Sequence, residues 1–147
     1  MSKRLYFNEV VTRDGFQIEP NFIPTEDKVA LINALSACGF AKIEVTSFTS
    51  PKAIPMLRDA EIVMGQITRH PDVVYTVLVP NLRGAERALD VNSDELNLVM
   101  STSETHNRAN LRMSRDDSFA ALREVIRFVD GRRPITVSLS TCFGCPM

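Results

Sequence analysis

Arg13 and Asp14 stand side by side where an apolar segment, Leu5 to Val11, runs into Gly15. Opposite charges at the C-terminal tip of a strand occupy the place where α/β folds put their chemistry. The Asp14 carboxylate is of the kind that anchors a hard divalent cation, magnesium or manganese. It is equally of the kind that stabilises a turn, and one carboxylate does not make a metal site. Glu44 lies between Ile43 and Val45, so strand alternation points it away from both. If that direction is a barrel interior, the carboxylate needs a partner, and Arg13 at the neighbouring strand end is suitable. On an edge strand the same glutamate would face solvent.

Further polar groups follow each apolar segment: Gln17 after the first, Thr46, Ser47, Ser50 and Lys52 around the end of the second, Asn81 after the third. Ser103, Glu104, His106, Asn107 and Asn110 follow the fourth, and Ser140, Thr141 and Cys142 the fifth. In a parallel α/β architecture these ends share one face, and convergent polar groups over an apolar core define the default active-site hypothesis. His106 reads either as a substrate contact or as part of a loop held by side-chain-to-backbone bonds. His70, before Pro71 in a helix-to-strand turn, reads as structural, and Met56, Met64 and Met100 as core fillers. No glycine-rich dinucleotide fingerprint or phosphate loop follows the first strand.

The elements that must position these groups alternate along the chain. Strands are expected at 5–11, 42–48, 72–79, 95–100 and 135–140, the third nearly continuous in apolar residues, as suits strands covered on both faces. Helices are expected from Thr25 as N-cap to Gly39 as stop, from Ile54-Pro55 through Met64, from Leu82 to Leu89, and from a capping box at Ser114 to Asp117 onward. The polar stretch 101–112 reads as a long loop. The resulting β-α-β-α-β-α-β-α-β order implies a parallel sheet with right-handed crossovers, either open and doubly wound or part of a barrel.

The 147 residues suffice for one domain, spanning the whole of 1–147, with 44% hydrophobic and 24% charged residues. A net charge of −1 argues against a nucleic-acid footprint. No apolar run is long enough to span a membrane, and no signal-peptide core or Arg- and Ser-rich leader is present, which points to a cytoplasmic location. Three cysteines suit a reducing compartment. Cys142 and Cys145 are spaced as C-x-x-C but follow a strand rather than opening a helix, and lack the second ligand pair of a zinc site.

Read together, several stretches resemble hydroxymethylglutaryl-CoA lyase of the DRE-TIM metallolyase group. They are Arg13-Asp-Gly-Phe-Gln17, Ile43-Glu-Val-Thr-Ser-Phe-Thr-Ser-Pro-Lys52, Val79-Pro-Asn-Leu-Arg-Gly84, Ser103-Glu-Thr-His-Asn107 with Asn110, and Ser140-Thr-Cys-Phe-Gly-Cys-Pro146. The second and last separate the lyase from isopropylmalate and homocitrate synthases. The resemblance implies a (β/α)8 TIM barrel, here about its first five βα units, using a divalent metal (Mg²⁺ or Mn²⁺). It further implies cleavage of a 3-hydroxy-3-methylglutaryl acyl-CoA substrate to acetoacetate and acetyl-CoA, and a homo-oligomer in the complete protein.

Carried onto this chain, the resemblance makes Asp14 a metal ligand and Arg13 the group that stabilises the enolate oxygen. Glu44 then holds Arg13 and substrate, and Gln17, Ser47, Lys52 and Asn110 lie near the substrate or its CoA portion. The family's other metal ligands, a His-x-His pair and a later Asn, lie beyond the fifth strand, and its catalytic cysteine later still, so Cys142 and Cys145 do not take that role. The 147 residues alone are therefore expected to be inactive and prone to associate through unpaired strand edges. The alternatives are a related acyl-CoA lyase, a Claisen-type synthase acting on another 3-hydroxy acid, or a non-catalytic interaction module.

Overall fold

A computed structural model describes residues 5–147. The chain forms β1 (Asn8–Glu9), α1 (Thr25–Ser36), β2 (Lys42–Ser47), α2 (Ala60–Gln66), β3 (Val74–Leu78) and α3 (Leu82–Asp90). It continues through β4 (Glu95–Ser101), α4 (Glu104–Leu111), α5 (Arg115–Val129) and β5 (Ile135–Ser140). The five strands lie in sequence order β1-β2-β3-β4-β5 and every neighbouring pair is parallel. Each crossover therefore moves one strand along the sheet, the pattern of a singly wound barrel wall rather than of a doubly wound sheet, whose order reverses.

Strand alternation divides the sheet into two faces. Ile43, Val45, Tyr75, Val77, Leu96 and Leu98 are all buried against the helices. There they meet Ile32 of α1, Val63 and Met64 of α2, Ala85 and Ala88 of α3, and Leu122, Val125 and Val129 of α5. The opposite, concave face carries Lys42, Glu44, Thr76, Glu95, Asn97, Thr136 and Ser138. A register shift between Glu44 and Thr46 bends β2 without changing which face Glu44 uses.

A clamp at the helical layer fixes α1 against the segment before α2. Lys28 and Asp59 are both nearly fully buried and 2.7 Å apart, and Lys28 Nζ also donates to the Met56 carbonyl at 2.6 Å. Burial of this pair is tolerable because both charges are further hydrogen-bonded, Asp59 Oδ2 accepting from the Thr25 hydroxyl at 2.8 Å. Thr25 is thus the first residue of α1, with Pro24 as the cap, rather than the N-cap expected.

Other expectations are corrected. The first strand is limited to Asn8–Glu9, because Val10 leaves the extended region (ψ 0°) and the chain turns. The helix expected from Ile54 is a single 3₁₀ turn, Pro55–Leu57, followed by α2. The polar stretch after β4 is not a loop but contains α4. Ser114 caps α5, its hydroxyl oxygen accepting from the Asp117 N–H at 3.0 Å, while the Asp117 carboxylate accepts from that hydroxyl rather than closing the expected box on the Ser114 N–H. The His70 ring Nδ1 accepts the Asp72 N–H at 3.2 Å in the turn before β3, and its backbone N–H donates to Tyr75 Oη at 2.8 Å.

Candidate functional site

After β1 the chain forms a wide five-residue π-type turn, Val11–Gly15, which presents Arg13 and Asp14. Its entry is set by Glu9, whose Oε1 accepts the N–H groups of Val10 and Val11, each at 2.8 Å. Gly15 packs closely at its end: an added Cβ would lie 2.9 Å from Val11 Cγ2, so that side chain would have to shift. The buried Thr12 hydroxyl donates to the Glu44 carbonyl at 3.0 Å and so fastens the turn to β2.

Arg13 reaches inward from this turn. Its Nε and Nη2 donate to Glu44 Oε2 at 3.0 and 2.8 Å, and its Nη1 donates to Asp14 Oδ1 at 2.7 Å. The Glu44 side chain is only 5% exposed, that of Arg13 16% and that of Asp14 62%. The guanidinium is therefore held from below by a buried carboxylate, while Asp14 stands at the rim with its second oxygen open. Two charge-assisted bonds converging on one carboxylate oxygen, with a third to Asp14, fix the plane of the guanidinium as well as its position.

Glu44 is in turn held from the far side. Its Oε1 accepts from Asn97 Nδ2 at 2.8 Å, and Asn97 Oδ1 accepts from the Ser138 hydroxyl at 2.9 Å. This contact passes over β3, where the residue paired with Glu44 is the small Thr76. A second row lies alongside, with Lys42 donating to Glu95 and the Thr136 hydroxyl donating to the same Glu95 oxygen at 3.0 Å. The concave face thus lines an open hollow of about 250 Å³ that Arg13 borders.

Of the residues singled out in the sequence, Arg13, Asp14 and Glu44 are in direct contact. Ser47 is buried at the end of β2, where its hydroxyl engages Thr49 Oγ1 at 2.7 Å. Gln17 is half-buried just past the turn, and Asn110 is exposed near the end of α4. Lys52 lines a different cavity, beside α3. Asn97 and Ser138 were not anticipated, although the alternation Glu95-Leu96-Asn97-Leu98 puts Asn97 in phase with a polar inner face.

The segment after β4 is organised around Asn107, which is fully buried. Its Oδ1 accepts the Ser101 N–H at 2.9 Å, and its Nδ2 donates to the Met113 carbonyl at 2.9 Å and to the Ser118 hydroxyl at 2.7 Å. Glu104 is held below the usual carboxylate range, first by the Arg115 backbone N–H and then by the charge of Arg108. The Cys145 thiol lies below its ordinary value because the Ser103 side chain, and then the Met147 and His106 backbone groups, hydrogen-bond to it.

As a metal centre the described residues are incomplete. Asp14 offers one exposed carboxylate, and among the described residues no group of three or more His, Cys, Asp or Glu side chains could enclose an ion. Also among these residues, no helix is long and apolar enough to cross a membrane.

A singly wound parallel βα sheet, concave and polar inside, with a charged cluster at its strand tips, makes this a (β/α)8-type barrel wall of five units. Comparison with known proteins is more specific. Residues 4–145 match the HMGL-like family model, and the chain belongs to that family. It is 47% identical over 145 residues to the hydroxymethylglutaryl-CoA lyase YngG of Bacillus subtilis, covering 98% of this chain and 48% of that protein. It is 36% identical over 139 residues to the human cytoplasmic 3-hydroxy-3-methylglutaryl-CoA lyase, covering 94% of this chain and 38% of that one. Among solved structures, an HMG-CoA lyase from Acinetobacter baumannii in complex with coenzyme A and 3-methylmalate superposes with a TM-score of 0.94 at 52% identity. That match covers 97% of this chain and 47% of the other. The chain thus spans about half the length of the relatives it matches.

Proposed function

We propose that these residues form the enolate-binding part of a lyase that cleaves the 3-hydroxy-3-methylglutaryl thioester of coenzyme A into acetoacetate and acetyl-CoA. The observation that carries the reading is the Arg13 guanidinium, fixed on the buried Glu44 and turned toward the rim beside Asp14. The family membership and the coenzyme A complex of the Acinetobacter lyase support it.

In this cleavage the substrate hydroxyl loses its proton and its oxygen becomes the ketone of acetoacetate. The carbon–carbon bond breaks, and its electron pair moves onto the thioester as an enolate, which is then protonated at carbon. The charge that develops on the thioester oxygen is the charge Arg13 is suited to receive. A guanidinium already locked in place stabilises it without the reorganisation that water would need. Glu44 positions Arg13, and Asn97 and Ser138 position Glu44. Asp14 would be one ligand of a divalent-metal set that the described residues do not complete.

The test is a chimera joining residues 1–147 to the remaining portion of the Bacillus subtilis relative, assayed for acetoacetate release with magnesium or manganese. Activity is expected, falling roughly 10²–10³-fold on Arg13→Gln with circular dichroism unchanged. A folded chimera that releases no acetoacetate, or an Arg13→Gln form that retains full activity, overturns the reading.

A further inference from the structure

The helix-covered side of the sheet is left open at β5. Val137 and Leu139 pair with Leu98 and Met100 of β4 and so point to the same side as the core. Leu98 is fully buried there, whereas Leu139 is 53% exposed. Beside them α5 turns Phe119 and Ile126 outward, Phe119 being 57% exposed. These four side chains, with Met100 and Leu122, line a groove of about 650 Å³ between α5 and β5. A contiguous apolar surface with charged residues at its rim marks an interaction site rather than ordinary scattered exposure.

The rim says what fits the groove. Asp116 and Arg123 both line it, and neither makes an ion pair among the described residues. They stand seven residues apart on α5, about 10 Å along its axis, with Phe119 between them. The Arg123 guanidinium already leans over the apolar surface, 6.0 Å from the centre of the Phe119 ring. Two copies of α5 laid antiparallel bring Asp116 of each copy opposite Arg123 of the other. In the same register Arg115 falls opposite Glu124, and Phe119 lies beside the two-fold axis. A parallel arrangement would set Asp116 on Asp116 and Arg123 on Arg123, so that like charges meet. The stripe is thus complementary to itself in one orientation, as a two-fold interface requires. A net charge of −1 leaves little general repulsion between copies.

We infer that this face pairs with the same face of a second copy of the chain, α5 against α5 in antiparallel orientation about a two-fold axis. The apolar side chains supply the affinity, and the Asp116–Arg123 pairs select the orientation. The inference does not rest on the lyase reading, and its test measures mass rather than turnover, so the two can fail separately.

The experiment is sedimentation equilibrium of the 147-residue chain from ~1 to ~300 µM, the range in which a modest interface becomes populated. A reversible monomer–dimer equilibrium is expected, the larger species having twice the 16.4 kDa of one chain. Phe119→Glu should weaken the dimer at least roughly tenfold, as loss of an aromatic side chain at the centre of an interface does. Asp116→Arg and Arg123→Asp should each weaken it roughly threefold or more, and the double reversal should restore it, because every reversed charge again meets its opposite. All three side chains are exposed, so circular dichroism should be unchanged in every variant. Glu86→Arg, on α3, should leave the equilibrium as it is. A species of one chain's mass throughout the range overturns the inference, as does a dimer indifferent to Phe119→Glu. Open-ended growth overturns it in favour of pairing between strand edges. A double reversal no tighter than the single ones overturns the antiparallel pairing on which it stands.

Discussion

Replacing Glu44 by Gln removes the charge beneath Arg13 while keeping the size of the side chain. The retained carbonyl can still accept from Asn97, which places the new NH₂ group against Arg13 Nε and Nη2. Two charge-assisted bonds, at 3.0 and 2.8 Å, are then exchanged for facing donors. Breaking one side of a fully buried ion pair costs about 3–5 kcal/mol. Arg13 is 16% exposed and keeps its bond to Asp14, so part of its charge can be rehydrated. A loss of about 2–3 kcal/mol is expected, lowering Tm by roughly 4–12 °C for a domain of this size when measured at fixed protein concentration. The decisive comparison adds Arg13→Met. In that background Glu44→Gln should cost much less than in the parent, giving a coupling energy above about 1 kcal/mol. A coupling near zero would refute the reasoning, for it would mean that the turn carrying Asp14 is held by Thr12 and the backbone alone.

Other outcomes follow from the same structure. The 147-residue chain should bind magnesium and manganese only weakly by calorimetry, and Asp14→Ala should abolish what binding there is; tight binding unaffected by that change would show a ligand set elsewhere. Cys145 should be alkylated by iodoacetamide at neutral pH more slowly after Ser103→Ala, because the hydroxyl that lowers its pKa is gone. An unchanged rate would rule out that contact. The Glu61 carboxyl is lowered chiefly by its hydrogen bond with Arg87, so its stabilising effect is present at neutral pH and lost as pH falls below the ordinary carboxylate range. Acid denaturation of Glu61→Gln should therefore show a smaller pH-dependent loss of stability between neutral and acid conditions than the parent does.

The sequence exposed the fold where a single force dominates. Val73, Tyr75, Val77 and Val79 are apolar because they face the helices, whereas the other face of β3, expected to be covered, leaves Val74 38% exposed; β2 and β4 alternate for the same reason, one face meeting helices and the other the concave interior. β1 was legible only as an apolar segment: its pairing ends at Glu9 because Glu9 itself captures the next two N–H groups and starts the turn. Helix α4 was hidden because Glu-Thr-His-Asn-Arg-Ala-Asn-Leu has no apolar stripe. What fixes it is the Ser103 cap and the bonds of Asn107 to Ser101, Met113 and Ser118, which are tertiary facts. The contact of Arg13 with Glu44 was readable as a need for a partner. The reach of Glu44 over Thr76 to Asn97 was not, because it depends on sheet curvature and on a small residue in the intervening strand.

The polar row from Arg13 through Glu44 and Asn97 to Ser138 also bears on how the strands find their alignment. Apolar alternation rejects a slip of one residue, which would turn every side chain to the wrong face, yet it is blind to a slip of two. Sliding β4 by two against β2 would keep leucines in the core but set Glu95 or Val99 opposite Glu44 in place of Asn97. One substitution leaves two carboxylates together, and the other leaves a buried carboxylate oxygen with no donor. The row that holds the arginine thus also selects the register, distinguishing among alignments of equal parity that hydrophobic packing alone would score as equal.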